Sequence, residues 1–410
     1  MPPVAYKLVE IELSEPLPTI SLGSGQDGCG LIARWRGALV GFKMVAVAPG
    51  ASLTPSELEA IADRNFATAV LTARLKEEMK AADDGAALVR PRLSVAICSK
   101  DRAVRLGRLL QSLTGLQAEP AFAALEIIVV DNASVDSSTR EAVEQFADVR
   151  YVFEPKAGLN FARNAALNAA TGDLLAYLDD DVVVDRGWLA GLADAWRSRP
   201  DAGGFTGLVL PFRLDTEAQV IFEGGGGFGR GFRRIEYRDR LHGNPLHPVG
   251  SGILGAGCNM AFDRGLLVEL GGFDEALDTG APLPGGGDLD IFYRVLRSGR
   301  SMVYEPGYAV YHEHRETIAQ LRRQYWSWGL GMMAYLEKSR RTDPALADRH
   351  RGMVRWWFKD RLKELARGVK RRRGRQINFT LAELWGGIMG LFGEYDRSRS
   401  RIQAIREAQP

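Results

Sequence analysis

From Arg92 onward, short apolar runs alternate with stretches of helical period, and this alternation constrains the fold more than any other feature of the chain. Residues 93–98, 125–130, 149–153 and 173–178 are near-continuous apolar runs, the mark of strands buried on both faces. Between them the pattern predicts helices over 102–116, 134–146 and 159–171, the last stopped by Gly172. Strands and helices in strict alternation imply a parallel sheet covered on both sides, with every crossover right-handed. The carboxyl ends of the strands then share one edge, where residues 99–101, Asp131 and residues 179–181 all emerge.

That edge is chemically loaded. Leu178 is followed by Asp179, Asp180 and Asp181, three carboxylates that repel one another unless a cation shares the site. Hard cations such as Mg2+ and Mn2+ prefer oxygen donors, and ligands of open α/β sheets bind at strand ends. The plainer alternative is a cap for the next helix, which starts near Arg186.

The remaining chain divides around this unit. Residues 1–90 read as a small α+β unit, with strands over 4–13 and 31–47, a turn at Arg36-Gly37, and a helix opened by the capping box Thr54-Pro55-Ser56-Glu57. Residues 81–86 are its expected linker to the 91–315 domain. Glu223 begins a Gly/Arg-rich stretch running to Gly252 that lacks the Gly-Lys-Ser/Thr ending of a phosphate loop and reads as a flexible loop or lid. Residues 316–410 read as a basic helical region with clusters of Trp, Tyr and Phe.

Charge separates these parts. The whole chain is nearly neutral at +2, yet from Glu316 onward 21 Lys and Arg stand against 10 Asp and Glu. An acidic body with a basic appendage predicts an anionic contact for the latter, and basic residues beside Trp and Phe suit an anionic membrane surface. No nucleic-acid motif accompanies the charge, so no nucleic-acid partner is expected. The three cysteines are far apart, which indicates neither a zinc site nor a disulfide framework and fits a reducing compartment. The first residues lack the pattern of a signal peptide, and no apolar run approaches the ~20 residues of a membrane span. The expectation is a cytoplasmic protein, peripheral on the inner membrane face at most.

In order, the motifs are L-S-V-A-I-C-S-K-D-R (93–102), I-I-V-V-D-N-A-S (127–134), A-G-L-N-F-A-R-N (157–164) and L-D-D-D (178–181). They continue with G-A-G-C-N-M-A-F (255–262), G-G-F-D-E-A-L (271–277), G-G-G-D-L-D-I-F-Y-R (285–294) and V-Y-H-E-H (310–314). This series closely resembles the inverting family-2 glycosyltransferases, whose GT-A fold is a Rossmann-like nucleotide-sugar-binding domain. Here that domain spans 91–315 and carries N-terminal and C-terminal extensions.

The resemblance implies a role for each matching residue. Ser99, Asp101, Asp131, Arg163, Asp179 and Asp180 fall on nucleotide-sugar positions. Asp181 and His312 fall on ligands of a divalent cation, Mn2+ or Mg2+, and His314 lies two residues on. Asp288 falls on the catalytic base of a Glu-Asp-x-Asp pattern in which Gly287 replaces the Glu. Cys258, Asn259 and Asp290 fall on the acceptor side. Lys100 stands where the family often has an aromatic residue, and Cys98 where it often has proline. The implied reaction moves a sugar from a nucleoside-diphosphate sugar to a hydroxyl of a glycan or lipid-linked saccharide, in cell-surface polysaccharide or glycolipid synthesis. The alternative is a non-catalytic protein of the same fold that binds glycans or nucleotide sugars.

Overall fold

The computed structural model describes residues 5–80, 90–116, 118–280 and 283–408. The expected linker, 81–86, lies outside them. In the N-terminal unit, β1 (Lys7–Glu12) runs parallel to β3 (Gly28–Trp35), which pairs antiparallel with β4 (Ala38–Ala46). Both turn residues between β3 and β4, Arg36 and Gly37, have positive φ (46° and 81°), the backbone that matches the twist of a tight hairpin. A short pair, β2 (Ile20–Ser21) and β5 (Ser52–Leu53), leads into α1 (Pro55–Asn65) and α2 (Ala67–Lys80). The capping box forms: Thr54 N donates to Glu57 Oε2 at 2.8 Å, and Glu57 N to Thr54 Oγ1 at 3.4 Å. Leu31, Leu58 and Phe66 sit in this unit's own apolar core.

That unit is nonetheless welded to the rest. The buried Arg34 guanidinium binds Asp185 and, at 2.9 Å, Tyr311 Oη, while Tyr6 N donates to Leu214 O at 2.8 Å.

The central domain contains β6 (Arg92–Ser99), α3 (Ala103–Thr114), β7 (Ala124–Asn132), α4 (Ser138–Glu144), β8 (Val149–Glu154), α5 (Leu159–Ala169) and β9 (Leu174–Asp179). Then come β10 (Val182–Val184), α6 (Trp188–Ser198), β11 (Gly204–Pro211), α7 (Glu217–Gly224), β12 (Ile235–Tyr237) and β13 (Asn259–Asp263). It closes with α8 (Arg264–Glu269), α9 (Gly287–Arg297) and β14 (Met302–His312). The sheet order is β8-β7-β6-β9-β13-β11-β14-β10, with β12 also on β14.

The four predicted strands form the parallel half, as their apolar runs require. Alternate residues feed opposite faces: Val95, Ile97 and Val129 meet α3 and α6, whereas Ala96, Ile128 and Val130 meet α5 and α9. The other half is mixed, because β13 runs antiparallel to both β9 and β11. The helix expected over 134–146 is confined to Ser138–Glu144. The missing turn is held as a loop by side chains, Asp131 accepting from Ser134 N and Asp101 from Val135 N, at 3.3 and 2.8 Å. The Gly/Arg-rich stretch is more ordered than a free lid: α7 runs into it, β12 pairs with β14, and Phe228 packs on His312 and Trp328.

The C-terminal region is helical as expected: α10 (Ile318–Thr342), α11 (Ala347–Lys370), α12 (Gly374–Leu391) and α13 (Glu394–Ala408). Helices α10 and α12 approach through glycines; a Cβ at Gly329 would lie 2.0 Å from Glu383 O, and one at Gly386 2.0 Å from Trp326 O. Among the described residues no helix is long and apolar enough to cross a membrane.

Candidate active site

Parallel pairing aligns Ser99 with Asp131 and Cys98 with Asp179, so three strands deliver polar side chains to one rim. Beyond Asp179 the chain turns into β10, whose pairing with β14 sets Val182 opposite His312. Asp181 O accepts from Glu313 N at 2.9 Å, and His312 Nε2 lies 3.4 Å from Asp181 Oδ1. A cavity of about 920 Å³ opens here, and Asp179, Asp181, Asp288 and His312 all line it.

The three neighbouring carboxylates differ. Asp180 is neutralised, accepting from Ser99 Oγ at 2.8 Å and Arg102 Nη1 at 2.9 Å. Asp179 stands 3.7 Å from Arg163 Nη2; burial pushes it up to about 7 despite that guanidinium, with Asp181 and Asp180 adding. Burial also acts on Asp181, but nearby positive charge, Arg315 and Arg102 at 3.7 Å, outweighs it and holds the carboxyl below its ordinary value. Its Oδ1 is buried and has no hydrogen-bond partner.

The histidines explain that orphan oxygen. His314 Nε2 lies 3.0 Å from Glu223 Oε2, and His314 Nδ1 lies 3.0 Å from His312 Nδ1. With His314 Nε2–H donating to that carboxylate, His314 Nδ1 accepts from His312 Nδ1–H. The network thereby assigns a bare lone pair to His312 Nε2. Burial lowers His312 to about 4, so the ring is neutral near pH 7. A lone pair facing a carboxylate oxygen is repulsive unless a cation sits between them, and this donor set suits Mn2+ or Mg2+. Among the described residues no group of three His, Cys, Asp or Glu is placed to hold a metal ion by itself, so phosphate oxygens and water would complete the shell. Glu223 was assigned no role from sequence; it lies 91 positions from its partner.

Arg163, buried on α5, donates to Asp278 Oδ2 and Asn160 Oδ1, both at 3.1 Å. Asp278 also escaped sequence reasoning. Its Oδ2 accepts from Gly287 N at 3.1 Å, and burial pushes the carboxyl up to about 6 against the pull of Arg163. A Cβ at Gly287 would lie 2.3 Å from that oxygen. Glycine at this position therefore follows from Asp278, which brings a carboxylate to the start of α9. Gly286 has a different cause: the backbone of α10 crosses it, and a Cβ there would lie 2.8 Å from Gly331 O. Trp328 and Trp357 reach the cavity wall from those C-terminal helices.

Asp288 stands in the first turn of α9, where the helix N-terminus favours its charge. Oδ1 accepts from Leu289 N at 2.8 Å, and among the described residues no Lys or Arg pairs with it. Cys258 lines the cavity, whereas two other expected acceptor residues do not. Asn259 is fully buried, bonded to Trp188 Nε1 (3.1 Å) and Tyr308 O (2.8 Å). Asp290 is fully buried between Lys338 and Arg294, the latter at 2.7 Å. Side chains at 288 and 290 diverge by roughly 200° around a helix, so one faces the cavity and the other the core. Asp131 also stays off the cavity wall, accepting from Tyr151 Oη at 2.7 Å; Ser99 and Asp101 line it.

The family model described as glycosyl transferase family 2 matches residues 94–217, and that of glycosyl transferase family group 2 matches residues 174–385, over half the chain. The chain belongs to glycosyltransferase family 2. Its central domain has the GT-A fold of this family. The succinoglycan biosynthesis protein ExoM of Rhizobium meliloti is 27% identical over 245 residues, 58% of this chain and 72% of that relative. A pre-mycofactocin glycosyltransferase of Mycobacterium tuberculosis is 27% identical over 235 residues, 55% of this chain but 43% of its own length. Among solved structures, the mannosyltransferase PcManGT from Pyrobaculum calidifontis, in complex with GDP-Man and Mn2+, overlaps 73% of this chain and 88% of its own. Its TM-score is 0.48 at 18% identity.

Proposed function

We propose that this family-2 glycosyltransferase moves a sugar, with inversion, from a nucleoside-diphosphate sugar to a hydroxyl of a membrane-linked saccharide in surface-glycan synthesis. The observation that carries the reading is that Asp181, whose buried Oδ1 no hydrogen bond satisfies, and Asp288, which no Lys or Arg among the described residues pairs, line one cavity.

Asp288 takes the proton of the acceptor hydroxyl as its oxygen attacks the anomeric carbon. The bond to the diphosphate breaks in the same displacement, so no covalent sugar–enzyme adduct forms. Arg163, fixed by Asp278, and Arg315 and Arg102 at the rim counter the charge of the departing diphosphate. Ser99 and Asp101 line the nucleotide end, with Asp131 behind them, and Cys258 lies toward the acceptor. Asp181 and His312 would hold a divalent cation, which when bound would supply further positive charge to the phosphate oxygens.

The test is release of nucleoside diphosphate from a panel of donor sugars with Mn2+, using Asp288→Asn as control. Equal turnover by that variant sinks the base assignment. Donor binding without turnover on any acceptor favours the binding-only alternative.

A further inference from the structure

The outer surface of the last helices has an uncommon composition. From Leu381 on, every exposed position of α12 is apolar: Leu381, Trp385, Ile388 and Leu391, followed by Phe392 at the C-cap. Steps of three and four residues keep them on one stripe. Trp385 is 58% exposed and Phe392 72%, values far from those of packed aromatics.

The stripe is locked outward. On the opposite side of α12, a Cβ at Gly387 would lie 2.7 Å from the Trp357 ring, and one at Gly390 2.6 Å from Leu330 O. The helix cannot rotate to bury its apolar side without losing this close fit. Contiguous apolar surface of this kind marks an interaction site.

Charge indicates the partner. Helix α11 packs on α12 as a hairpin, with Arg361 Nη1 3.0 Å from Glu383 Oε2. Its exposed basic residues recur every four positions, at Arg351, Arg355, Lys359, Lys363 and Arg367. Of its acids, Asp348 is exposed and lies against Arg351, while Asp360 and Glu364 are only part-exposed and lie against Arg361 and Arg367. Among the described residues, Lys370, Arg371, Arg372 and Arg373 at the hairpin turn are exposed and meet no carboxylate. A second copy of this chain would bring two such basic surfaces together. A phosphate-rich interface with an apolar interior matches both halves: Trp sits well at headgroup depth, and Lys and Arg reach phosphates while their stems stay apolar.

We propose that the outer surface of the α11–α12 hairpin docks on an anionic lipid bilayer, Trp385 and Phe392 entering it and residues 370–373 lying over the headgroups. Trp357 and Glu383 of the same hairpin line the catalytic cavity, so docking brings that cavity to the membrane. This last consequence rests on the transferase reading; docking itself does not.

The experiment is flotation of the full chain with phosphatidylcholine vesicles, with and without phosphatidylglycerol. Wild type floats with the anionic vesicles at low salt and is released at high salt. The double variant Trp385→Glu/Phe392→Glu loses at least ~10-fold in partitioning through the apolar contact. Arg371→Gln/Arg372→Gln/Arg373→Gln loses about 5-fold per charge and most of the salt dependence. Both variants keep wild-type melting and donor turnover in solution. Failure of wild type to float at low salt overturns the proposal, as does flotation unchanged in both variants. Self-association abolished by Trp385→Glu would assign the stripe to a second copy and equally overturn it. A chain that floats but turns over no donor sinks the transferase reading and leaves docking standing.

Discussion

Two acidic motifs, residues 179–181 and residues 288–290, look alike in sequence and divide their carboxylates in the same way. In each, one acid is neutralised by partners and another faces the cavity without a hydrogen-bonded cation. Asp180 takes Ser99 and Arg102, as Asp290 takes Lys338 and Arg294. Asp181 keeps a bare oxygen, and Asp288 has only the next backbone amide. Pairing, rather than residue type, separates the groups available for chemistry from those that hold the fold.

Exchanging the two kinds should exchange the phenotype. Asp288→Asn should cut turnover by ~10²–10⁴, the range for a positioned general base, with donor binding and melting unchanged. Asp290→Ala should do the reverse. It strands the buried Lys338 charge, and denaturant unfolding should register a loss of ~3–5 kcal/mol. A variant at 290 with normal stability and failed acceptor turnover would break the comparison.

At the other motif, Asp181→Ala should abolish the dependence of nucleotide affinity on Mn2+, read by calorimetry with and without the ion. Glu223→Gln sharpens this further. The histidine relay then loses its orienting carboxylate, and Mn2+ affinity should fall ~10–100-fold with kcat at saturating Mn2+ largely retained.

The smallest effect concerns Glu313, beside His312. Burial pushes its carboxyl up, but hydrogen bonds from Arg108 and Arg105 prevail and hold it at about 2. A depressed folded value contributes stability above the ordinary 4.5, and that contribution is lost as pH falls through about 2. Glu313→Gln should therefore flatten the acid limb of stability below about pH 4.5, with little effect on which pH favours turnover.

Much of this architecture is legible in the order of residues. The apolar runs at 93–98, 125–130 and 173–178 became parallel strands because their neighbours supply local helices and short turns. The box at Thr54 formed because its hydrogen bonds span three residues. The shortened helix after Asp131 was missed because Asp101, more than thirty residues earlier, holds Val135 in a loop. Asp278 was missed because its partners, Arg163 and Gly287, come from separate elements.

Local periodicity and capping chemistry act within a few residues, so the chain by itself determined the alternation of strands and helices and the carboxylates at the strand tips. Which carboxylates stay unpaired was decided by tertiary structure alone. Lys338 reaches Asp290 from α10, Glu223 reaches His314 from α7, and α10 settles over Gly286, where a Cβ would obstruct it. Burial makes such long-range pairing decisive, because a charge removed from water must find its counterpart or lose its proton.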